Sequence, residues 1–125
     1  MPAGVHSKAH VHNKYEIIVF LLEGWAASLV GEDLEPAVQG PGDFVFIPKG
    51  VPHLAVNLST EHPVVGLEVR ADPQFNEDVE LLTQLDSKAG AIIEKLRADH
   101  AAGKIPNDWQ KHDRVFRYQW QGDRS

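Results

Sequence analysis

The chain has 125 residues, 42% of them hydrophobic, which suits one globular domain with a single core. Twelve basic and 18 acidic residues give a net charge of −6 with no basic patch, which argues against nucleic acid as a partner. There is no cysteine, so disulfides and thiolate ligands are excluded, and a reducing cytoplasm is the expected setting.

The first residues, Met1-Pro2-Ala3-Gly4, carry no apolar signal core. The longest apolar run, Ile17 to Leu22, falls far short of the roughly 20 residues of a membrane span. Short strands are expected at 9–12, 15–22, 25–30, 44–47, 53–58 and 64–70. Turn signals separate them: Glu23-Gly24, Gly31-Glu32-Asp33, Gln39-Gly40-Pro41-Gly42 and Glu61-His62-Pro63. Many short strands punctuated by Gly/Pro turns predict a sandwich or barrel over residues 1–75. The run 17–22 is apolar at both parities, whereas a strand facing water on one side alternates. Its outer face is therefore expected to be covered by a helix or a second copy, and a homodimer is the expected assembly.

The tail, residues 76–125, changes character. Residues 77–85 read as a short helical stretch. Ser87 reads as the N-cap of a helix running to about Ala102, with Ala89, Ile92, Ile93 and Leu96 on one apolar face. That face is expected to pack on the outside of the barrel, and Gly103 is a natural stop. Farther on, Phe116, Tyr118 and Trp120 alternate with Arg117, Gln119 and Gln121. Residues 115–120 are therefore expected to add a strand, in the same subunit or in a partner.

Two histidine clusters carry the chemistry. In a strand, His10 and His12 point to the same face. Glu16 shares their parity, but an unbroken strand would leave it more than about 12 Å beyond His12, so Asn13-Lys14 must bend to bring it back. The turn Pro48-Lys49-Gly50-Val51-Pro52 is stiff, and Gly50 can adopt positive φ there, which would deliver His53 to a defined place. Three imidazoles and a carboxylate suit one divalent transition metal: Fe, Mn, Ni, Zn or Cu. The expected ligands are His10, His12, Glu16 and His53. Protons compete for imidazoles, so metal affinity is expected to fall below about pH 6.5.

Other residues read more plainly. His6, His62, His100 and His112 are expected at the surface, and Asn57, at the parity of His53, in a structural hydrogen bond. Phe20, Trp25 and Phe46 read as core. Lys14 and Tyr15 sit beside the ligand positions. Glu68 and Arg70 alternate with Leu67 and Val69 as one polar face.

Gly4, His10, His12, Glu16 and Gly24, followed by Gly42, Pro48, Gly50, His53 and Asn57, resemble the two signature motifs of the cupin superfamily over about residues 4 to 70. The second motif matches at every position. The first departs by one residue, with seven rather than six between Glu16 and Gly24. The resemblance implies an all-β jelly-roll (cupin) β-barrel with a C-terminal α-helical segment and a metal inside. It implies a metal-dependent enzyme acting on a small organic molecule, with a dioxygenase as the leading reading. The alternatives are a non-redox isomerase, lyase or cyclase, or a non-catalytic small-molecule-binding barrel.

Overall fold

The structure, a computed structural model, describes residues 1–74 and 78–105. The strands are β1 (His10–His12), β2 (Ile17–Glu23), β3 (Ala26–Val30), β4 (Glu35–Gln39), β5 (Phe44–Ile47), β6 (His53–Asn57), β7 (Val65–Arg70) and β8 (Val79–Leu81). A 3₁₀ turn, Thr83–Leu85, leads into the helix α1 (Asp86–Ala101).

The strands form two antiparallel sheets, ordered β4-β3-β6-β1-β8 and β5-β2-β7. They face one another as a jelly roll, and no strand pairing joins them among the described residues. Over the described residues the fold is therefore all-β with one helix after the strands.

The main core does not lie between the sheets. Ala27 and Leu29 of β3 and Leu54 and Val56 of β6 share the outer face of the five-stranded sheet, because they sit opposite one another in the ladder. Ala89 and Ile93 of α1 close over them, with Ile92 and Leu96 packed at the edge. Each large side chain buried there contributes about 1.5–3 kcal/mol. The apolar stripe read from the sequence thus packs on the barrel's outside as expected. The helix begins two residues early, with Leu85 rather than Ser87 at its N-cap and no side-chain cap, so Ser87 lies inside the first turn.

With this core behind the sheet, the alternate residues of β3 and β6 face a hollow interior. Across it, β2 presents Ile17, Val19 and Leu21, and β7 presents Glu68 and Arg70. Among the described residues, no element covers the outer face of β5-β2-β7. Ile18, Leu22, Phe44, Phe46, Leu67 and Val69 are all exposed on it, Phe44 by 68%. The helix expected as one possible cover of β2 lies instead on the other sheet. Phe46 is accordingly a surface residue rather than core, and Phe20 packs against Phe44 with ring centroids 4.5 Å apart and planes tilted by 34°.

Two further expectations change. Part of 77–85 is strand rather than helix: Val79–Leu81 pairs with β1, placing His10 opposite Leu81 and His12 opposite Val79. Glu35–Gln39 is a strand that the sequence reading leaves as a connection. The expected strand at 115–120 lies outside the described residues.

Candidate metal centre

His10 of β1 is the direct cross-strand partner of His53 of β6. His12, two residues along, points to the same face. The ring centroids lie 4.4 Å apart for His10–His53, 5.0 Å for His10–His12 and 5.3 Å for His12–His53. One ring nitrogen from each lies within 4.8 Å of the others.

The turn before β6 places His53 as the Pro-x-Gly pattern suggests. Gly50 takes φ +77°, a region costly for residues bearing a Cβ, and its N–H bonds the His12 carbonyl at 2.8 Å. The turn is thus tied to the strand that carries the other two histidines.

Each ring is held through Nδ1 by an acceptor: the Lys8 carbonyl for His10 at 2.7 Å, an Asp78 oxygen for His12 at 3.0 Å, and the Val51 carbonyl for His53 at 3.0 Å. A carbonyl or carboxylate can only accept, so in the neutral ring Nδ1 carries the proton and Nε2 keeps its lone pair. Three fixed imidazoles offering lone pairs to one place, with their second nitrogens hydrogen-bonded, form a donor set that fits a divalent transition metal.

Asp78 is the residue that sequence reasoning misses. It is 66 positions from His12, in a stretch of acidic residues with no local signal. Its side chain is buried, one oxygen taking the His12 ring N–H and the other the backbone N–H groups of Lys14 and Tyr15. Burial alone would push its carboxyl up, but the His12 hydrogen bond and the two backbone donors outweigh it and hold it below the usual value. Lys14 and Tyr15 therefore act through their backbone.

Glu16 is not brought to the three histidines. The chain does bend after His12, but Ile17 takes the buried inward place at the start of β2. Alternation then turns Glu16 outward, where it is exposed. His6 is exposed, as expected. Asn57 is fully buried in a structural knot: it donates to the carbonyls of Pro2 and His62 at 3.1 and 2.8 Å and accepts from the Ser59 N–H at 2.9 Å.

The histidines line a cavity of about 230 Å³ together with Val19, Ser28, Ile47, Glu68 and Arg70. The polar face read from Glu68 and Arg70 is thus the inner face of β7. A 2.9 Å ion pair joins the two: the Arg70 side chain is nearly buried and that of Glu68 half exposed.

Burial pushes His53 down to about 4, and lowers His10 as well, partly offset by the Lys8 carbonyl. In the folded protein His53 then resists protonation between pH 6.5 and about 4, while the unfolded chain binds the proton. Stability is full above pH 6.5 and is lost as pH falls toward 4, by up to roughly 3 kcal/mol from this residue. Melting of the metal-free protein should show Tm dropping across that window, and a flat profile would contradict the burial of His53. The same shift moves proton competition for His53 below the pH 6.5 expected from an ordinary imidazole.

The cupin domain model matches residues 1–70. The chain belongs to the cupin family. Among solved structures it resembles TT1209 of Thermus thermophilus at 37% identity, over 57% of this chain and 65% of that one, with a TM-score of 0.52. The DMSP lyase DddQ of Ruegeria pomeroyi is 34% identical over 65% of this chain and 39% of its own, with a TM-score of 0.52. A cupin-superfamily sugar phosphate isomerase, SPO2919 of Silicibacter pomeroyi, is 25% identical over 58% and 46%, with a TM-score of 0.51. In each case the match covers less than two thirds of the other chain. A search of curated proteins gives no match. Among the described residues no helix is long and apolar enough to cross a membrane.

Proposed function

We propose that this chain is a metal-dependent enzyme acting on a small organic molecule in the cavity between its two sheets, with His10, His12 and His53 as ligands of one divalent transition metal. The observation that carries this reading is the convergence of three imidazoles whose Nδ1 atoms are already engaged. Three protein ligands are the pattern of catalytic rather than closed structural sites, and the cluster faces a cavity. His10, His12 and His53 would hold the metal, which would supply Lewis acidity toward a substrate oxygen.

The rest of the chemistry falls to side chains. Glu68 is a titratable carboxylate on the same cavity wall, able to take or return a proton, and Arg70 holds it in position. Val19 and Ile47 limit water around it. The sequence alone offers no clear proton carrier beyond His6, Tyr15 or an unbound ligand residue, which weakens a non-redox reading. Glu68 supplies one, so a non-redox lyase or isomerase becomes the first reading and a dioxygenase the second. The names of DddQ and SPO2919 agree with a non-redox class.

Deuterium exchange at the carbon next to the carbonyl of small 2-oxo acids, followed by proton NMR on metal-loaded protein, tests this. Metal-dependent exchange is expected, falling about 10²–10⁴-fold in Glu68→Gln with metal occupancy unchanged. Oxygen uptake without exchange would select the dioxygenase. Tight ligand binding with neither activity would leave a small-molecule-binding barrel.

The apolar face of β5-β2-β7, uncovered among the described residues, is proposed to pack against the same face of a second copy, since monomers rarely expose so continuous an apolar surface. Sedimentation at twice the 13.9 kDa chain mass is expected, and a stable monomer would reject it.

A further inference from the structure

Gln39 ends β4 on the inner face, opposite Ala26 of β3. It is 2% exposed, and its Oε1 accepts the Ser28 hydroxyl at 2.7 Å. Its Nε2 is buried and has no hydrogen-bond partner among the described residues. Turning the amide over would pair Nε2 with Ser28 and leave Oε1 bare instead, so one polar atom of this amide is unmatched either way. Native chains rarely leave a buried amide unpaired, because the cost is about 1–3 kcal/mol.

The amide borders a second cavity of about 210 Å³, walled by Leu21, Ala26 and Val64. Val19, Ser28, Ala55 and Glu68 line both this cavity and the one holding the histidines, so the two adjoin. Ser28 pairs with Ala55, two residues along β6 from His53. Two residues of rise and one strand spacing put Ser28 about 8 Å from His53, and the amide, a hydrogen bond beyond Ser28, about 11 Å away; less a coordination bond at one end and a hydrogen bond at the other, this leaves the reach of about five or six carbons. One interior therefore has a metal-binding polar end, apolar walls and a hydrogen-bonding far end.

We infer that the substrate is a short linear compound bearing oxygen at both ends: a carboxylate at the histidine end, and a hydroxyl or carbonyl hydrogen-bonded by the Gln39 carboxamide, whose orientation Ser28 fixes. This inference rests on the metal reading above and adds to it the class of molecule. Gln39 is a specificity-determining residue that leaves metal affinity alone.

Zinc is first titrated into the protein. The zinc-loaded protein is then titrated calorimetrically with two matched pairs, pentanoate against 5-hydroxypentanoate and hexanoate against 6-hydroxyhexanoate. The hydroxylated member of at least one pair should bind about tenfold tighter or better. Gln39→Leu should erase that preference while binding zinc as before, which also shows that the variant is folded. Ser28→Ala should reduce the preference without touching zinc. If zinc binds and the members of both pairs bind alike, or not at all, the inference is overturned and the metal reading stands. It is likewise overturned if Gln39→Leu keeps the preference. If wild-type protein binds no zinc, the metal reading fails and the inference falls with it.

Discussion

His53→Ala should abolish metal-dependent stabilisation of this protein. The ring sits 4.4 Å from His10 and 5.3 Å from His12, so its loss leaves two donors, both on β1, and none from β6. Removing a ligand costs more than the roughly 10–100-fold loss that follows removal of a group behind one. Wild-type protein should gain Tm as zinc or nickel is added, because a ligand that binds only the folded state stabilises it by mass action. The variant should gain little. Its metal-free fold should survive, since position 53 faces the cavity while the main core lies between the five-stranded sheet and α1. An undiminished metal-induced Tm shift in His53→Ala would remove this residue from the site.

Asp78→Ala should act on stability and on metal affinity together. It strips the acceptor from the His12 ring and from the backbone N–H groups of Lys14 and Tyr15, all at a buried or partly buried position. A hydrogen bond to a charged acceptor contributes about 1.5–3 kcal/mol, and donors left bare add to the loss, so unfolding free energy should fall by about 3 kcal/mol or more. Freed from Asp78, His12 can rotate or change tautomer, and metal affinity should fall 10–100-fold. Asp78→Asn keeps an oxygen for one donor and should lie between. Chemical denaturation gives the first quantity and metal titration the second. A destabilised variant with wild-type metal affinity would show that Asp78 braces the fold without orienting the ligand.

The ligand strands were legible because their signals are local. His10 and His12 share parity, the Pro48 to Pro52 turn is stiff, and His53 follows it directly. The pairing that puts His53 opposite His10 is not local, yet the shared apolar context of both segments implied one barrel. What escaped depends on distant partners. Glu35–Gln39 carries Pro36 and Glu35 and lacks an apolar run, but β3 pairs with it along its whole length. Val79–Leu81 is only three residues long and becomes a strand because β1 has an open edge for it. Asp78 has no motif of its own, since its function exists only through a contact 66 residues away. Glu16 illustrates the opposite limit. Its parity matched the histidines, but the burial of Ile17 in the interior decides which way the chain turns after the bend. Gln39 and Ser28 looked like turn and strand filler, and only the hollow between the sheets gives them a shared surface.

Anomalous diffraction from crystals grown with zinc, recorded on both sides of its absorption edge, tests the central claim most directly. A single peak about 2.0–2.1 Å from Nε2 of His10, His12 and His53 is the expected result. A peak elsewhere on the chain, with none among these three rings, would contradict it.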